Sequence, residues 1–146
     1  MTAPTEKREA PTPATKQEVG WVAACVLLSW FGLFLHNRAD LPHLPVLSPE
    51  SSIPALISLL LFLGWWLLPQ KQTMRVALLG WAWLNLLVGG ILSVIPFPIW
   101  PFHPEQTVFH YLMHAQYILT QIPLIMILLR QARRSASGKR RAGVKG

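Results

Sequence analysis

The sequence predicts an all-α integral membrane protein: a four-helix bundle, N-in/C-in, with disordered cytoplasmic termini. Three observations carry that expectation. Just over half of the 146 residues are hydrophobic (52%) and only 13% are charged, about half the charged share of an average globular chain. Four stretches, Val19–Leu35, Ile53–Leu68, Val76–Ile95 and Thr107–Leu129, contain no Asp, Glu, Lys or Arg. The 13 Lys and Arg residues, set against 6 Asp and Glu, gather on alternate sides of these stretches.

The four runs are 17, 16, 20 and 23 residues long. As helices they reach roughly 24 to 35 Å, close to a bilayer core of about 30 Å. Lipid offers the backbone no hydrogen-bond partner, so each run must satisfy its own amides and carbonyls, which a helix does. No alternation of polar and apolar residues supports a barrel. The expected spans are 19–36, 53–68, 76–95 and 105–129, within a transmembrane domain over 19–130.

The segment 1–18 is rich in Pro, Thr and Ala with mixed charge, and reads as disordered. The first run starts late, exceeds a typical signal-peptide core and has no A-x-A site after it, so it reads as an uncleaved anchor. For the second helix, Ser51-Ser52 followed by Pro54 offers an N-cap and a proline in the first turn. Gly89-Gly90 in the third run allows a neighbouring backbone to approach closely. His103-Pro104-Glu105-Gln106 gives the fourth helix a start near Pro104, with Glu105 favouring the positive end of its dipole. Pro123 lies well inside that helix, where its missing N–H predicts a kink. The segment 131–146 is a basic tail.

Basic residues set the orientation. Four spans put both termini and the second loop on one side, which then holds twelve basic residues, while Arg38 alone lies on the other. The positive-inside rule makes the twelve-residue side cytoplasmic, in a plasma (inner) membrane. Trp21, Trp65 and Trp66 fall at the inner interface; Phe97, Trp100 and Phe102 fall at the outer one. The tail from Arg130 to Lys145 has seven bases and no acid, which suits anionic headgroups. It lacks the aromatics that single-stranded nucleic acid stacks on.

One cysteine, Cys25, excludes an internal disulfide, paired-cysteine redox chemistry and a multi-cysteine zinc site. The histidines are more informative, because all five (His36, His43, His103, His110 and His114) lie on the outer side or in the outer half of a span. His110, His114, Tyr117 and Gln121 are spaced 4, 3 and 4 along the fourth run. At about 100° per residue they share a stripe about 60° wide. Cys25, Ser29, Gly32 and His36 repeat that spacing on the first run. Facing each other antiparallel, the stripes form a polar seam, with His36 level with His110 and Cys25 level with Gln121. Asn85 of the third run lies near the midplane and can join.

Three functions fit this layout. The first is a non-enzymatic accessory or assembly subunit, in which the stripes pack helices against one another or against a membrane partner or second copy. The second is a redox or metal protein using His36, His110, His114 and Tyr117. Histidines at i, i+4 project from one face and share an ion. His110 and His114 would be joined by His103 and Glu105, or by His36, since no carboxylate lies within the four runs. Haem b between His36 and His110 or His114 is the cofactor variant, although the sequence specifies no cofactor. The third is a small transporter with the seam as its pathway. Ionisable groups in lipid are costly, which makes these histidines the site to examine.

Overall fold

The computed structural model describes residues 14–45, 47–100 and 103–143, and among these it is entirely helical. Four helices run in order: α1 (Lys16–Asp40), α2 (Pro49–Leu67), α3 (Lys71–Leu84) and α4 (Val108–Gly143). α3 continues through a π-helical segment, Asn85–Ile91, and a 3-10 turn, Leu92–Val94. Four segments, Lys16–Asp40, Pro49–Leu67, Lys71–Val94 and Val108–Ser135, are long and apolar enough to cross a membrane. The outer surface of the bundle is apolar, with Leu27, Leu60 and Leu119 all largely exposed.

α1 is longer than the uncharged run at both ends. Thr15 and Glu18 form a reciprocal capping box: the Glu18 amide donates to Thr15 Oγ1 (3.2 Å) and the Thr15 amide to Glu18 Oε2 (3.0 Å). The helix therefore begins inside the segment read as disordered, whose residues 1–13 lie outside the described residues. At the far end it runs past His36 to Asp40, a full turn beyond the expected span. Hydrogen bonding continues past the run, with the Leu41 amide still reaching Asn37 O (2.8 Å). The chain then turns at Pro42.

The start of α2 corrects the expected cap. Ser48 is the N-cap, Pro49 the first-turn proline and Glu50 the first-turn acid, a proline-led start of the expected kind placed one turn earlier. Pro54 is consequently inside the helix, and Ser51 is free to accept from Asn37 Nδ2 of α1 (3.1 Å). α3 begins at Lys71, so Arg75 belongs to the helix rather than to the loop.

α4 also departs from expectation at its start. It begins at Val108, not near Pro104, because Thr107 supplies the cap: its Oγ1 accepts from the His110 amide (3.2 Å) and its carbonyl from the Tyr111 amide (3.1 Å). Gln106 holds the preceding segment against α3 by donating to Val94 O (3.3 Å). The helix then extends to Gly143, 36 residues in all. At about 1.5 Å per residue that is roughly 54 Å, well beyond a bilayer core. Most of the basic tail is thus a continuation of α4.

Packing divides the bundle into two halves. α1 and α4 share the most extensive interface. Towards the end where α1 and α3 begin, Val22, Val26, Phe62, Trp65, Leu78, Ala82, Leu124, Ile125 and Leu128 form an apolar core. Towards the other end the buried residues include Ser29, His36, Ser48, Ser51, His110, His114, Tyr117 and Gln121. Two glycines permit the close approaches there. A Cβ on Gly32 would lie 2.6 Å from Thr120 Cβ, and one on Gly90 would lie 2.7 Å from Ile118 Cγ1.

Candidate metal centre

The polar half is built from two one-turn pairs. His36 and Asp40 occupy i, i+4 on α1; His110 and His114 occupy i, i+4 on α4. Each pair projects from one face of its helix. The antiparallel packing of α1 on α4 brings the two faces together.

Asp40 is the hub. Its Oδ1 lies 3.1 Å from His110 Nδ1, and its Oδ2 lies 3.5 Å from His36 Nδ1 and 4.0 Å from His114 Nε2. The three histidines are only 8, 6 and 4% exposed for His36, His110 and His114. Their rings are close: centroids are 4.3 Å apart for His36 and His114, and 4.5 Å for His110 and His114. Tyr117 stacks on His36 at 5.5 Å with the planes 9° apart.

Hydrogen-bond partners assign the ring nitrogens. His114 Nδ1 is 2.9 Å from the Gly90 carbonyl oxygen, which only accepts. Nδ1 therefore carries a hydrogen, which in the neutral ring leaves Nε2, 4.0 Å from Asp40 Oδ2, as the lone-pair nitrogen. The same reasoning gives His110 an Nδ1–H donated to Asp40 Oδ1. Two buried ring nitrogens make no hydrogen bond: His36 Nδ1, which has only its ion-pair contact with Asp40 Oδ2 at 3.5 Å, and His110 Nε2. A buried polar atom left unpaired costs about 1–3 kcal/mol, so each of these atoms calls for a partner.

The donors match a metal ion. One atom each from His36, Asp40 and His114 lies within 4.8 Å of the others. Tetrahedral ligation at bond lengths of about 2.0–2.2 Å needs donors roughly 3.4 Å apart. The His36–Asp40 separation is already of that size, and His114 Nε2 lies 4.0 Å from the same carboxylate oxygen. The outer shell is also in place: His110 holds one oxygen of Asp40, and the Gly90 carbonyl holds His114, which is how ligands are commonly oriented. Two histidines and a carboxylate leave a coordination position open, the pattern of reactive zinc and non-haem iron sites.

A π-helical segment adjoins this site, as such segments often do at functional sites. It presents the Gly90 carbonyl to α4. Asn85, at its start, accepts from the Tyr117 hydroxyl (2.9 Å) and donates to Trp81 O (2.8 Å). Deeper in the seam, Ser29 Oγ donates to Gln121 Oε1 (2.5 Å) and Gln121 Nε2 donates back to Ser29 O (3.2 Å).

Comparison with protein-family models, curated proteins and solved structures found no match. The geometry of the site is therefore read on its own terms.

The structure brings His36, His110, His114 and Tyr117 together. His103 and Glu105 lie exposed on the segment before α4 and are not among the three converging donors. The register of the seam differs from expectation by about one turn. Ser29, not Cys25, meets Gln121, and His36 is nearer His114 than His110, whose ring centroid is 6.4 Å away. Cys25 packs instead against the apolar core. Asp40 is the residue of this cluster that the sequence reasoning left out, because the first span was ended at His36. The available signal was its i, i+4 spacing from His36, the same as that of His110 and His114. α1 and α4 approach closely at Gly32 and Thr120, one turn from His36.

Proposed function

We propose that this chain is a four-span membrane protein, both termini cytoplasmic, that holds a divalent transition-metal ion at the outer end of its α1–α4 seam. His36 Nδ1, Asp40 Oδ2 and His114 Nε2 are the ligands; His110 orients Asp40. The observation that carries this reading is the convergence of two buried imidazole nitrogens, His36 Nδ1 and His114 Nε2, on one carboxylate oxygen, at 3.5 and 4.0 Å. Pure helix packing accounts for Ser29 with Gln121, where every bond closes. It gives no reason for three buried imidazoles to converge on one acid in a low-dielectric interior.

The chemistry suits Zn²⁺, or Fe²⁺ with an open position, and the ion faces the outer leaflet in the positive-inside orientation. Purified protein, stripped of metal and titrated with Co²⁺ as a coloured substitute for Zn²⁺, tests it. About one ion per chain is expected, with visible bands typical of low coordination number. Absence of binding to the wild-type protein returns the seam to helix packing in an accessory or assembly subunit.

A further inference from the structure

The opposite end of the bundle carries a second group of buried polar atoms, independent of the metal reading. Arg75, in the first turns of α3, and Gln131, on α4, are each only 9% exposed. Arg75 donates through one terminal nitrogen to Ser135 Oγ (3.1 Å) and through the other to Gln72 Oε1. Its Nε is buried without a partner, as are both the oxygen and the nitrogen of the Gln131 amide. Ser135, one turn after Gln131 on α4, donates its hydroxyl to the Gln131 backbone carbonyl (3.0 Å), so Arg75 meets α4 one turn from Gln131.

No acid among the described residues forms an ion pair with this group. Among the described residues every ion pair involves Asp40, at the other end of the molecule. Glu18 is the acid whose field reaches Arg75, but its carboxylate is engaged by the Thr15 amide and hydroxyl. The start of α3 adds further positive potential. Its N-cap, Gln70, makes no side-chain cap, its first turn holds no acid, and Lys71 is its first residue. A cation buried at the positive end of a helix, beside unpaired donors, is the inverse of a stable arrangement unless an anion completes it.

We infer that this end of the bundle binds a phosphate group, supplied by an anionic phospholipid. Phosphate oxygens accept from Arg75 Nε and from the Gln131 amide nitrogen. The unpaired Gln131 Oε1 requires a donor, so a headgroup with a free hydroxyl, as in phosphatidylglycerol, satisfies all the orphaned atoms together. The exposed apolar residues Leu68 and Val76 beside the site suit acyl chains rather than water.

Native mass spectrometry of the full chain in detergent, with added phosphatidylglycerol, phosphatidylcholine or inorganic phosphate, tests the inference. The expected result is retained phosphatidylglycerol, no comparable retention of phosphatidylcholine and no displacement by millimolar phosphate. Arg75→Gln should lower retention about tenfold, since it removes a charge-assisted bond. Gln131→Leu, which leaves the charge intact, should lower it several-fold and serves if Arg75→Gln fails to fold. Wild-type retention in folded Arg75→Gln or in Gln131→Leu overturns the site. Displacement by inorganic phosphate overturns the lipid as the source of the anion.

Discussion

Asp40 shows how much depends on single side chains at the seam. Asp40→Asn keeps the shape and removes the charge that three histidines share, so metal affinity should fall at least about a hundredfold if the carboxylate is a ligand. Isothermal titration with Zn²⁺ measures this. His110→Gln acts one step further out and should weaken binding by about 10–100-fold without abolishing it, the usual range for residues that orient a ligand. Equal losses in the two variants would mean that His110 is itself a ligand. Gly32 is the steric counterpart. Its missing Cβ would sit 1.8 Å from Thr120 Oγ1 and 2.6 Å from Thr120 Cβ, and a β-branched neighbour has little freedom to move aside. Gly32→Ala should therefore destabilise the α1–α4 pair by about 1–3 kcal/mol, as overpacking does. The combined variant Gly32→Ala, Thr120→Ser should recover only part of this, because the Oγ contact remains. Thermal unfolding in detergent reads both.

Among the helices, register is the testable quantity. Small, polar and ring residues on α1 and α4 identify the faces that meet, and the spacing rule finds both stripes without the structure. Sliding one stripe by a turn leaves polar residues opposite polar residues, so the stripes by themselves admit more than one pairing. The two-way bond of Ser29 with Gln121 and the fit of Gly32 under Thr120 select one. In a Cys25→Ala background, Ser29→Cys with Gln121→Cys should crosslink readily under mild oxidation. Native Cys25 with Gln121→Cys should not. The reverse result would restore the register expected from depth matching. Helix ends follow the same logic. The proline signature for α2 was legible, but Ser48-Pro49 and Ser51-Ser52 with Pro54 both resemble starts. The bond from Asn37 to Ser51 favours the earlier one by giving Ser51 a tertiary partner.

For the whole molecule, orientation is the outstanding measurement. With Cys25 replaced, single cysteines at positions 2, 43, 72, 100 and 143 should label from outside only at 43 and 100, given the twelve-to-one bias of basic residues. Outside labelling at 72 would contradict the arrangement in which α3 begins, with Arg75, at the cytoplasmic end. The number of helices, their apolar character and the polar stripes were determined by sequence alone. Each is a local property: an uncharged run long enough for a bilayer must be helical there, and a 3.6-residue period puts its polar members on one face. Only the tertiary structure decided that α1 continues to Asp40, that this acid sits among three histidines and that Gly90 orients one of them. It also decided that Arg75 and Gln131 are both buried and that Arg75 bonds to Ser135 of α4. These facts depend on which helices touch and at what register. The physical reason is that register is selected by a few close contacts, such as Gly32 against Thr120, whose partners lie far apart along the chain and leave no periodic trace in it.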